Sequence, residues 1–164
     1  MLRYFWAAVL ACTCALFLGG SALAQDAALE PLSAFPQSLL SIRTLAGKVV
    51  NFKIWQADTP RREEQGLMFV RDMDEHAGML FVFPGSRSPT MWMKNTYIPL
   101  DLLFISEHGR IEYIADGKPL SLEVIRSPSP SPSLAVLELK GGACVRLGIK
   151  VGDTVAHSSL RVPR

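Results

Sequence analysis

Met91-Trp92-Met93-Lys94-Asn95-Thr96-Tyr97-Ile98-Pro99-Leu100-Asp101 sets two thioethers, an indole, an ammonium, an amide and a carboxylate among apolar neighbours. Alternation of side chains predicts a strand from about Thr90 to Asn95, a corner at Tyr97-Ile98-Pro99 and a second strand from Leu100 to Ile105. On that reading Met91, Met93 and Asn95 share one face, and Thr90, Trp92 and Lys94 the other. Asp101 falls on the parity of Leu103 and Ile105, where a carboxylate is costly to bury unless it is paired or hydrogen-bonded.

Working outward, short strands recur. Leu39 to Leu45 and Lys48 to Trp55 flank Ala46-Gly47, and the second alternates Val50, Phe52 and Ile54 against Asn51, Lys53 and Trp55. Gly78 to Phe83 is apolar on both parities, as in a strand covered on both faces. Ser106 to Gly109 reads as a hairpin turn, Arg110 to Ala115 and Leu134 to Leu139 as strands, and Thr154 to His157 as the last. Pro84 to Pro89 and Asp116 to Pro119 read as turns, and Ser127 to Ser133, alternating serine and proline, as an extended loop. Thr59-Pro60 starts a short helix that ends near Gly66. Ala143 to Leu147 is a second one, closed by Gly148. Eight or nine short strands with two short helices predict an all-β domain, a compact β-sandwich or barrel-like single domain over residues 39–160.

The N-terminus reads differently. Arg3 precedes an apolar run from Tyr4 to Leu18, and Ala22-Leu23-Ala24 follows the small-x-small rule for signal peptidase. Residues 1–24 are expected to be a cleaved secretory signal, residues 25–38 a disordered leader and residues 161–164 a tail. The apolar run is shorter than the ~20 residues of a membrane span, so no membrane insertion is expected after cleavage. The expected location is periplasmic or extracellular. Loss of Arg3 takes the 17 basic residues to 16, against 15 acidic, which is no signature of a nucleic-acid partner. Cys12 and Cys14 leave with the signal, so Cys144 stands alone and no internal disulfide can form.

Gly66-Leu67-Met68, Gly78-Met79-Leu80-Phe81, the stretch from Met91 to Asp101, Leu137-Glu138-Leu139 with Gly142, Gly148 and Gly152-Asp153 follow one another in an order that resembles the domain-of-unknown-function family 192. The resemblance spans roughly Leu40 to Leu160. It implies a small, often exported single β domain and carries no agreed activity.

Three kinds of chemistry are open to these residues. Trp92, Lys94, Asn95 and Asp101, with Met79 and Arg71 as walls, form a candidate pocket for an unknown small ligand, and no cofactor is expected. Alternatively Asn95, Thr96 and Asp101 pin the corner through backbone amides. Asp101 or Glu138 could instead serve a hydrolase-like enzyme as a buried acid or base; Glu138 shares parity with Leu134 and Val136. Met91 and Met93, with His76, could hold Cu(I) or Ag(I), because thioethers are soft ligands; methionine as core filler is the competing explanation. Glu63 and Glu64 read as helix-start charges and Cys144 as a core thiol. The leading expectation is a non-enzymatic ligand-binding or accessory module of the cell envelope, whose partner is a small ligand or an envelope protein.

Overall fold

The computed structural model describes residues 29–160; the expected signal, residues 25–28 and the tail lie outside them. Seven strands form one sheet: β1 (Gln37–Arg43), β2 (Val49–Ala57), β3 (Ala77–Arg87), β4 (Leu100–Ile105), β5 (Ile111–Gly117), β6 (Ser133–Lys140) and β7 (Thr154–Ala156). Their order is β5-β4-β6-β3-β2-β1-β7, and the sheet curls into a half-barrel, so the barrel-like form of the expected all-β fold is the one adopted. At one end the two edges meet. Arg110 bridges to Thr154, the Ile111 amide donates to the Asp153 carbonyl at 2.9 Å, and the Val155 amide donates to the Gly109 carbonyl at 2.7 Å. That contact satisfies backbone groups which an open sheet would leave on its edges.

The central strands β3, β4 and β6 are covered on both faces along most of their length, whereas β1, β7 and most of β2 bury one face and expose the other, and two apolar cores result. The first draws on the whole curl, with Ile42, Phe52, Leu80, Leu103, Ile111, Leu137 and Val155, and is covered by α2 (Ala143–Leu147). The second uses the opposite parity: Met79, Phe81, Leu102, Phe104 and Val136. Among the described residues only the β2–β3 ladder is parallel, so the chain must cross over between these strands. That crossover carries α1 (Pro60–Gln65) onto the face of the second core. Thr59 caps α1 by accepting from the Arg62 amide at 3.3 Å, Pro60 takes the first turn, and Gly66 closes it, all as the sequence predicts.

Two expectations need correction. From Leu29 onward the leader is part of the fold. Phe35 is buried in the second core, and Arg62 lies 5.2 Å over its ring. The Gln65 side chain exchanges two hydrogen bonds with the Glu30 backbone, at 2.7 and 2.8 Å. A single 3-10 turn over Leu32–Ala34 and one buried aromatic have no period to read, which is why the sequence pattern is silent there. Secondly, Thr90 to Asn95 is no ladder strand. It joins no ladder: one bridge links Met91 to Ile125, the Met93 amide donates to the Ser121 carbonyl at 3.2 Å, and Asn95 has φ 57°. Its alternation of buried Met93 with exposed Trp92 and Lys94 is real, but it belongs to an extended loop laid over the second core.

A candidate cleft over a buried carboxyl

Glu138 sits on β6 directly opposite Met79 of β3 on one side and Leu102 of β4 on the other. Both neighbours are fully buried, and Glu138 itself is 4% exposed. Its Oε2 has no hydrogen-bond partner. Burial among apolar groups disfavours the charged form and pushes its pKa up to about 8, so the carboxyl is mostly protonated at neutral pH. The sequence expectation of a buried Glu138 with a raised pKa is met.

Above it opens a cleft of about 250 Å3 with Glu138 in its lining. α1 contributes Glu63 and Glu64, β3 contributes Phe81, Phe83 and Arg87, and the loop from Ser88 contributes Thr90, Met91, Trp92, Lys94 and Thr96. The charges are arranged in pairs. Arg87 lies 3.8 Å from Glu63 and 4.0 Å over the Phe83 ring. Lys94 Nζ stands 5.5 Å from the centre of the Trp92 ring. Trp92 is 45% exposed, which makes it an accessible aromatic wall.

Of the candidate ligand-binding residues, Trp92 and Lys94 line this cleft and the others do not. Met79 lies beside Glu138 in the core. Asn95 takes the left-handed conformation and its carbonyl accepts from the Phe69 amide at 2.8 Å. Arg71 is stacked 4.9 Å over Tyr97. Asp101 points to the other core. Its two oxygens accept from the Gly142 amide at 2.7 Å and the Cys144 amide at 2.8 Å, so it caps the start of α2 from a neighbouring strand. Asp101 thus bonds to backbone amides, but to those at the start of α2 rather than to those of the corner, and neither Lys94 nor Asn95 is its partner. Asp101 is removed from the ligand-binding and acid–base candidates.

The soft-metal arrangement is also not assembled. Met93 is fully buried against Gly117, where an added Cβ would come within 2.6 Å of its sulfur. Met91 lines the cleft instead. His76 lies exposed at the edge of the first core: its ring packs on Phe52 and its Nδ1 contacts the Asn51 carbonyl at 3.2 Å. Among the described residues no group of three or more His, Cys, Asp or Glu is placed to hold a metal ion.

Two other reactive side chains are committed to structure. Cys144 is buried, and desolvation together with the negative charge of Asp101 pushes its thiol well above the usual range. His157 Nδ1 accepts from the Ser159 amide at 3.2 Å, which leaves Nε2–H to donate to Ser38 Oγ at 2.8 Å. A histidine donating to a serine cannot take that serine's proton.

Glu63, Glu64, Arg87 and Phe83 were not among the sequence candidates for the site. The signal for Phe83 was present in the shared parity of Met79, Phe81 and Phe83. Nothing local shows that α1 faces them, because that depends on the crossover.

A single β domain with a cleft over one buried carboxyl is the class defined by this geometry. The chain belongs to DUF192, a family described as uncharacterized, whose profile matches residues 41–157. Solved structures agree. A protein from Sinorhizobium meliloti, described as a candidate transcription regulator, is 38% identical with a TM-score of 0.73, over 76% of this chain and 96% of its own. A protein of unknown function from Novosphingobium aromaticivorans is 34% identical with a TM-score of 0.72, over 79% of this chain and 91% of its own. No curated protein matches the chain.

Proposed function

We propose that this chain is an exported, non-enzymatic binding module of the cell envelope that holds a small ligand in the cleft over Glu138. One observation carries the reading: a buried carboxyl oxygen with no partner forms the floor of a cleft walled by an exposed indole and charged groups. A buried polar atom left unsatisfied costs about 1–3 kcal/mol, and a ligand group that completes it recovers that cost. Export is supported by the signal pattern of residues 1–24 alone.

Native mass spectrometry of protein recovered from an exporting host without refolding tests both parts. The expected mass begins at Gln25 and carries a small organic adduct, which Thr90→Trp, filling the mouth of the cleft, removes. A full-length mass would refute export, and a bare mass in both proteins would refute a retained small ligand and favour an envelope protein as partner.

The second reading is an enzyme with Glu138 as general acid or base. It is favoured by a pKa of about 8, close to the working pH where such catalysis is most efficient. It lacks a second catalytic group: the remaining acids of the lining, Glu63 and Glu64, lie on α1, and Glu63 is turned to Arg87. Turnover of the recovered adduct, lost in Glu138→Gln, would establish this reading over the first.

A further inference from the structure

The cations and acids of the cleft are not equally committed. The Arg87 guanidinium is held by Glu63 and by the face of Phe83, and the Lys94 ammonium is held over Trp92. The group left without a partner is an acid, Glu138, at the floor between Met79 and Leu102. Glu64 adds a second carboxylate to the α1 wall. An anionic ligand would bring like charge toward Glu63 and Glu64 and would meet only cations that already have partners. A ligand ammonium meets the opposite situation. Its N–H groups supply the donors that Glu138 lacks, its charge is matched by Glu64, and the apolar body behind it fits against Phe83 and Met91.

We infer that the cleft is an amine site, in which the protonated primary amine of a small organic ligand donates to Glu138 Oε2. This rests on the reading of the cleft as a ligand site and names the class of ligand. Binding carries a proton balance. Glu138 enters as the neutral acid and ends as the carboxylate paired with the ammonium; its proton leaves to solvent, and the amine keeps all three of its own. The other charged groups of the lining are Glu63 and Glu64 from α1, Arg87 from β3 and Lys94 from the loop. Glu138, whose burial holds its proton up to about pH 8, is the group through which binding is linked to pH. Affinity rises by up to tenfold per pH unit below about pH 8, levels off as Glu138 ionises, and falls again where the amine itself loses its proton.

The test uses amide NMR of the mature protein with three probes of similar shape: benzylammonium, benzyl alcohol and benzoate. The expected result is that benzylammonium shifts the amides of Met79, Leu102 and Glu138, that its affinity rises about fiftyfold between roughly pH 6 and 8, and that Glu138→Gln removes the slope. Glu138→Gln keeps the shape of the neutral acid, and its own amide spectrum shows that it is folded. Thr90→Trp leaves Glu138 in place and abolishes the shifts by closing the mouth. Benzoate or benzyl alcohol shifting those amides while benzylammonium does not would overturn the amine inference and leave the cleft reading standing. Benzylammonium binding without a pH slope, or unchanged in Glu138→Gln, would overturn the role of Glu138. Silence from all three probes overturns the inference, whereas the cleft reading falls separately, on the absence of an adduct in the native mass.

Discussion

A carboxyl whose folded pKa is raised stabilises the fold only while it is protonated. Glu138 binds its proton up to about pH 8 in the fold, whereas an unfolded glutamate releases it near its ordinary value of 4.5. Between those two values the folded state holds the extra proton, so stability falls as pH rises; it is constant below the window and constant again above it. The slope approaches about 1.4 kcal/mol per pH unit, several kcal/mol across the window. Glu138→Gln cannot ionise. Its urea midpoint is expected to match the parent near pH 5 and to exceed it increasingly toward pH 8. Parallel curves for the two proteins would mean that Glu138 is not buried as described. His157 acts with the opposite sign: burial lowers its pKa, so the stability it gives is present above its ordinary value of 6.5 and is lost as pH falls through the folded value. Cys144 belongs to the same scale. Its thiol is buried and held far from ionising, so native protein should resist iodoacetamide under conditions where urea-unfolded protein reacts fully.

At the scale of elements, carboxylates do much of the joining. Asp101 ties β4 to the start of α2. Asp153 ties the turn before β7 to the turn after β1, accepting from the Lys150 amide at 2.7 Å and the Leu45 amide at 2.8 Å. Asp101→Asn replaces one acceptor by an N–H group that faces another donor. The expected loss is about 2–4 kcal/mol, read from the denaturation midpoint, with any ligand adduct of the still-folded fraction unchanged. Loss of the adduct at full stability would return Asp101 to the site. The same residues show what the sequence discloses. Both helices, the hairpin turn at Ser106 to Gly109 and most strands are legible, because caps, glycines and period two act locally. Strand length is less so: β3 runs on through Pro84 to Arg87, with the register shifting between Val82 and Arg87 because proline cannot donate to the ladder. For Thr90 to Asn95 alternation reports which side chains are buried and not which backbone groups are paired. Glu138 was legible as a buried acid from parity alone. Its neighbours in the cleft were not, since they arrive by the β2–β3 crossover and by a loop that joins no ladder.

For the whole molecule the decisive fact is that two cores share one sheet. Ile42 lies in the first and Phe104 in the second, both fully buried, and β3 and β6 between them carry side chains into each core alternately. One core cannot open without withdrawing the ladder that backs the other, so the domain should unfold as one unit. Ile42→Ala and Phe104→Ala should each cost about 2–5 kcal/mol, since each leaves a cavity in close-packed surroundings. Both should move the same transition. The two tryptophans outside the expected signal report on the second face: Trp55 packs against that core and Trp92 lines the cleft. Far-UV circular dichroism follows the sheet as a whole. Coincidence of the fluorescence and dichroism curves in both variants is the expected outcome. In Phe104→Ala, fluorescence changing before the dichroism would show that the cleft-bearing face melts by itself. Glu138 would then reach water without global unfolding, and the pH dependence of stability argued for it would shrink accordingly.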